Sequence, residues 1–263
     1  MGRRTNSIIF SPREKLSHMS PFIAEFIGTC ILIVLGAGVV SNVSLKNTAG
    51  ENDPKWVLIT IAWGFAVFVG VFITGEVSGA HLNPAVSVGL AMAHKFDWAL
   101  VPMYVLAQTL GAMFGSWLNY QLYYDHFKAT TDENTIRGCF CTAPMIKNTP
   151  RNFLSEVYGT FFLVFAIFYI AKPTLQIEGV DQIQYGIGAL DALPVGILVW
   201  VIGMSLGGTT GYAINPARDF GPRLVYAILR RKKNNANWSY AWIPVLGPLL
   251  GGILAGFVFN LLG

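Results

Sequence analysis

Residues 79–85 read GAHLNPA and residues 211–217 read GYAINPA. Asparagine is a favoured helix N-cap and proline fits the first helical position without losing a hydrogen bond, so each Asn-Pro opens a helix. After Asn83 about 12 apolar residues follow, roughly 18 Å at 1.5 Å per residue. That is too short to cross a bilayer core of about 30 Å. The second motif has the same shape, and Gly75, Gly79, Gly207, Gly208 and Gly211 give both approaches a permissive backbone. A lone Asn-Pro is most simply a turn or a capped helix. Here the register extends upstream, where Ala24–Thr29 (AEFIGT) echoes Ser155–Thr160 (SEVYGT). The asparagines lie 215 − 83 = 132 residues apart and the glutamates 156 − 25 = 131, so the chain is two copies of one plan.

The solvent of that plan follows from composition. Of 263 residues 12% are charged and 53% hydrophobic, with a mean hydropathy of +0.51. A soluble domain carries roughly 25% charge. So little charge cannot solvate a surface, which argues against a disordered chain, a coiled coil or an ordinary soluble enzyme. A net charge of +4 spread through such a chain does not indicate a nucleic-acid partner. Six windows are long and apolar enough to cross a lipid bilayer: Phe22–Val43, Trp56–Gly75, Trp98–Tyr124, Asn152–Ala171, Ala192–Ala217 and Trp238–Gly263. The fold class expected is an all-α membrane protein of six transmembrane helices plus two re-entrant half-helices. It forms one transmembrane domain, with a tail over 1–20, a first repeat over 21–124 and a second over 152–263. Three spans per repeat is odd, so the second repeat enters from the opposite face, the inverted plan that places a transport site at the midplane.

Charge counting does not orient this plan. With the N-terminus inside, Arg3, Arg4, Arg13, Lys15, Lys95 and Lys172 oppose ten basic residues outside: Lys46, Lys55, Lys128, Arg137, Lys147, Arg151 and Arg230–Lys233.

If each Asn oxygen caps its own helix, its NH₂ stays free as a donor. Two inverted half-helices meeting end to end bring both NH₂ groups and both positive dipole ends to the bilayer centre. Such a midpoint binds the oxygens of neutral solutes and repels cations, hydronium included. The irregular backbone before each Asn must line a cavity rather than face lipid. Arg218 follows the second motif in a stretch otherwise uncharged back to Ala192, and a buried arginine in a membrane is costly and usually functional. Glu25 and Glu156, the only charges inside their spans, need several donors if ionised, and the re-entrant loop N–H groups are the natural partners. They read as structural braces.

With these residues the sequence closely resembles the major intrinsic protein (aquaporin) family, over nearly its whole length. The resemblance implies a pore in each subunit of a homotetramer in the cell membrane, with both termini cytoplasmic. Asp219 after Arg218, in NPARDFGPR, resembles the glycerol-facilitator (aquaglyceroporin) branch. Carried across by spacing, the family's selectivity filter falls on Trp63, Gly203, Tyr212 and Arg218. Gly203 then leaves room for a carbon backbone, Trp63 and Tyr212 give an apolar corner, and Arg218 binds hydroxyls. Backbone carbonyls of Gly79, Ala80, His81 and Leu82, and of Gly211 through Ala213 to Ile214, form an acceptor track, and Asp219 joins the braces. The function implied is a passive channel for glycerol and other small uncharged solutes with some water, excluding ions and protons, with no cofactor and no enzymatic activity. Tyr212 stands where phenylalanine is usual, and its hydroxyl is expected to narrow the filter and add a polar handle. That opens the alternative of a channel mainly for protonated lactic acid, dihydroxyacetone or water.

The other reactive residues read as structural. Cys139 and Cys141, in CFC, have poor metal spacing and lack neighbouring ligands, and Cys30 reads as packing. His81 reads as orienting backbone rather than as an acid or base. Arg230–Lys233 is most simply a face for lipid headgroups. Gly111-x-x-x-Gly115 and Gly247-x-x-x-Gly251-Gly252 suit close helix crossings. A secondary transporter on the same repeat would want titratable groups at the midplane for ion coupling. A membrane enzyme would want a metal or a nucleophile at the cavity. The sequence offers neither beyond the two glutamates.

Overall fold

The computed structural model describes residues 19–51, 55–171, 174–175, 183–184, 186–230 and 236–263. The tail before Met19, Lys172 and the basic residues 231–233 lie outside the described residues. In the first half, α1 (Pro21–Ser44), α2 (Lys55–Ser78), the short α3 (Pro84–Met92) and α4 (Val101–Leu122) follow one another. In the second half the corresponding elements are α7 (Thr149–Ile167), α8 (Leu193–Leu206), α9 (Pro216–Leu229) and α11 (Ile243–Leu262). Between the halves run α5 (Tyr124–Ala129) and α6 (Glu133–Gly138), and α10 (Trp238–Ala241) leads into α11. One departure from an all-helical chain is a two-residue antiparallel pair, Thr174 opposite Gln184 and Leu175 opposite Ile183.

Packing repeats with the sequence. Helix α1 lies on α4 as α7 lies on α11, and each half-helix leans on the last span of the opposite half, α3 on α11 and α9 on α4. The glycine motifs sit at these crossings. A side chain on Gly115 would collide with the Cys30 carbonyl, and one on Gly251 with the Val157 carbonyl. Small residues let helices approach where lipid gives them no hydrophobic reason to associate.

The polarity of the molecule is inverted relative to a soluble one. Phe65, Leu106, Phe162 and Val201 are exposed, whereas Glu25, Gln108, Glu156, Asp219 and Arg223 are fully buried. Among the described residues five stretches are long and apolar enough to cross a membrane, namely Pro21–Ser44, Lys55–Ser78, Trp98–Leu122, Gly188–Leu206 and Trp238–Leu262. The sixth span, α7, has 19 residues and carries Arg151, Asn152 and Glu156 in its first half, which lowers its apolarity. The chain is a multi-pass membrane protein.

One boundary differs from the sequence expectation. The fifth window, Ala192–Ala217, is not one span: its α-helix stops at Leu206, and residues 207–215 form the re-entrant loop. Hydropathy did not mark the end because the loop is as uncharged as the helix. The glycines and the Asn215 cap mark it instead.

Candidate functional site

The two re-entrant loops share an unusual backbone. Left-handed φ values occur at Gly79 (79°), Ala80 (46°) and Leu82 (51°), and again 132 residues on at Gly211 (81°), Tyr212 (36°) and Ile214 (42°). Non-glycine residues in that region are costly and persist only where the surroundings impose them. The imposing groups are the two glutamates. Glu25 accepts from the backbone N–H groups of His81 (2.9 Å) and Leu82 (2.7 Å), from Ser78 Oγ (2.6 Å) and from Gln108 Nε2 (2.7 Å). Glu156 accepts from Ala213 N–H (3.1 Å) and Ile214 N–H (2.9 Å).

Each loop ends on its asparagine. Asn83 Oδ1 accepts from Ala85 N–H at 2.9 Å, while Asn215 Oδ1 accepts from Ala217 N–H at 3.0 Å and Arg218 N–H at 3.1 Å. Their NH₂ groups are less free than the sequence suggests. Asn83 Nδ2 donates to the Ile214 carbonyl and Asn215 Nδ2 to the Leu82 carbonyl, both at 2.8 Å. These reciprocal bonds lock the two half-helices together and engage two carbonyls of the expected acceptor track. An amide NH₂ has two hydrogens, so each asparagine keeps one donor.

Both asparagines line a cavity of about 140 Å³. The loop residues Gly79, Ala80, His81, Leu82, Tyr212, Ala213 and Ile214 line it, as do the apolar Leu32, Val67, Val86, Leu163 and Val199. Trp63 and Arg218 also line it, with the Arg218 guanidinium carbon 4.2 Å from the Trp63 ring centre. The guanidinium has no hydrogen-bond acceptor among the described residues, so its N–H groups are left for whatever enters.

Two expected filter features stand differently. Gly203 and Gly211 are not on the cavity wall. A Cβ on Gly203 would fall 2.7 Å from Cζ and 2.9 Å from the hydroxyl of Tyr212, so the tyrosine ring fills the space expected to stay open for a solute. The Tyr212 hydroxyl itself is buried without a hydrogen-bond partner among the described residues, so it is not the polar handle the sequence suggested. The ring edge rests against Trp56, centroids 5.8 Å apart.

Asp219 does not face the cavity. It pairs with Arg223, Nη2 to Oδ1 at 2.7 Å with Nε at 2.9 Å, and accepts from Thr142 N–H and Oγ1, both at 2.7 Å. Arg223 also donates to the carbonyls of Ala236 (2.6 Å) and Thr142 (2.9 Å), tying two loops to α9. Sequence reading missed this arginine, although its position four residues after Asp219 on a helix was the available signal. Gln108 and Ser87 carried no such signal. Arg230, grouped with the headgroup face, instead pairs with Glu133. Cys139 and Cys141 are buried with Phe127, Phe140 and Tyr226, and burial pushes both thiols up to about 12, which leaves them inert.

Comparison with known proteins agrees with this geometry. The profile of the major intrinsic protein family matches residues 13–259. The chain belongs to the major intrinsic protein family. Relatives within it include a probable glycerol uptake facilitator protein of Thermotoga maritima, 47% identical over 92% of this chain and 99% of its own length. A D/L-lactic acid transporter of Lactiplantibacillus plantarum is 40% identical over 90% of this chain and 95% of its own. Among solved structures, the aquaglyceroporin from Plasmodium falciparum superposes with a TM-score of 0.74 at 30% identity, covering 91% of this chain and 94% of its own. The aquaporin-like architecture of this family member is therefore established.

Proposed function

We propose that the protein is a passive pore for glycerol and other small uncharged solutes, water among them, that excludes ions and protons. One observation carries the reading. Arg218, its guanidinium free of acceptors among the described residues, stacks on Trp63 at 4.2 Å in a cavity that Leu32, Val67, Val86, Leu163 and Val199 also line. A polyol presents both carbon and hydroxyls, so it suits a lining of both kinds. A buried hydroxyl left unpaired costs about 1–3 kcal/mol, which is the penalty such a lining removes. In this reading Asn83 and Asn215 present their remaining N–H donors at the midpoint, and the loop carbonyls accept from the solute hydroxyls. Glu25 and Glu156 brace the loops. Cations meet the N-terminal ends of both half-helices and the Arg218 charge, an electrostatic barrier. The subunit is expected to assemble as a homotetramer in the cell membrane with both termini cytoplasmic. The relative named for glycerol uptake supports the solute class.

The test is stopped-flow swelling of reconstituted liposomes in glycerol, dihydroxyacetone, urea, lactic acid and water gradients. Glycerol should enter well above the rate of empty vesicles. Water permeation without faster glycerol entry would overturn the assignment.

The lactic acid alternative rested on the Tyr212 hydroxyl. Because that hydroxyl is buried and unpartnered, Tyr212→Phe is expected to leave the glycerol to lactic acid flux ratio unchanged at acidic pH. It should also preserve stability or raise it by up to about 1 kcal/mol. A ratio shifted several-fold would put the hydroxyl back in the solute's path.

A further inference from the structure

We propose that Ser87 fixes the tautomer of His81, so that the His81 ring presents Nε2 to the pore as an unprotonated acceptor for a solute hydroxyl. The part concerning a solute rests on the neutral-polyol reading above; the tautomer does not.

The argument is a count of hydrogens. The Glu25 carboxylate receives four donors, so it acts only as an acceptor and turns the Gln108 amide to present Nε2 towards it. The second hydrogen on that nitrogen points at Ser87 Oγ, 3.1 Å away. Ser87 Oγ also lies 3.3 Å from the Asn83 carbonyl, which can only accept. A hydroxyl has one hydrogen and two lone pairs. With Gln108 donating in and the hydrogen going out to Asn83, the remaining contact, 2.9 Å to His81 Nδ1, is a hydrogen bond only if Nδ1 carries the proton. In a neutral imidazole the other nitrogen is then bare. The ring is held in place by Phe96 and Tyr104, centroids at 4.5 and 4.8 Å.

The bare nitrogen is the one that meets the cavity. His81 lines it beside Gly79, whose Cβ position is 3.6 Å from Nε2. Nε2 has no hydrogen-bond partner among the described residues, and it is not among the polar atoms sealed from solvent, as the Tyr212 hydroxyl is. The second repeat places Ala213 at the equivalent position, so this acceptor occurs in only one half of the pore. Two successive hydroxyls can therefore be met there, one by a loop carbonyl and one by the ring.

Two substitutions separate the acceptor from the structural contact. The amide of His81→Asn reaches where Nδ1 stood and keeps Ser87, while that of His81→Gln reaches where Nε2 stood. Loss of one hydrogen bond to the solute predicts glycerol flux about three- to tenfold lower in His81→Asn. Water flux should change less, and His81→Gln, whose amide oxygen restores an acceptor, should lose less glycerol flux than His81→Asn. The same loss in both variants, or in neither, would overturn the solute role, and so would the reverse order. The tautomer is read separately by ¹⁵N NMR of the histidine rings in the reconstituted wild-type protein, with His81→Asn assigning the signal. Protonated Nδ1 and bare Nε2 are expected, with Ser87→Ala mixing the two forms; protonated Nε2 in the wild type overturns the proposal. Wild-type vesicles that pass water but not glycerol would instead refute the polyol reading, with the NMR result standing on its own.

Discussion

Arg223→Met is expected to destabilise the folded protein by about 3–5 kcal/mol, the usual cost of removing one partner from a buried ion pair. The substitution keeps most of the side-chain volume but strands the Asp219 carboxylate, which is fully buried and left with only the Thr142 donors. It also frees the carbonyls of Thr142 and Ala236, which the guanidinium now satisfies. Thermal unfolding in detergent, followed by loss of the monodisperse chromatographic peak, measures the effect. Because Arg223 does not line the cavity, glycerol flux per folded subunit should change far less than the amount of folded protein. A variant as stable as wild type would mean that the pair contributes nothing beyond its geometry. Arg223→Lys should recover little: a lysine ammonium is a point charge that cannot reproduce the guanidinium's spread of donors.

Gly203→Ala carries the largest expected effect on transport. The added methyl would lie 2.7 Å from the Tyr212 ring, closer than real Cβ contacts come, so the ring must move. Trp56 and Gly207 crowd the ring as well, and the ring itself lines the cavity, so its displacement changes the cavity's shape. Glycerol flux should fall at least about tenfold, equivalent to roughly 1.4 kcal/mol on the barrier to passage, while water, being smaller, is affected less. Tyr212→Ala combined with Gly203→Ala should restore glycerol passage, because the clash that couples the two sites is gone. Equal loss of water and glycerol in the single variant, unrelieved in the double one, would show that Gly203 acts on folding instead.

These outcomes trace how far the residues could be read alone. The membrane class, the twofold repeat and the half-helices were legible because each rests on local chemistry: hydropathy over a span, an N-cap followed by proline, an offset of about 131. The glutamates' need for donors was legible too, since an isolated carboxylate in a membrane span must find them. The end of the fifth span was not, because Gly207 to Ile214 is as uncharged as the helix before it.

What the sequence by itself determined about this protein is therefore its solvent, its inverted repeat and the two re-entrant loops whose residues line the cavity. What only the tertiary structure decided is how those residues share hydrogens and space. The NH₂ of Asn83 finds the Ile214 carbonyl, Tyr212 takes the room that Gly203 leaves, Asp219 turns away to Arg223, and Ser87 directs the His81 proton. Periodicity and capping act within a few residues along the chain. The Asn83–Ile214 pairing joins residues 131 apart, and the other three, though close in sequence, form only because the packed helices and loops leave those partners, and not others, within reach.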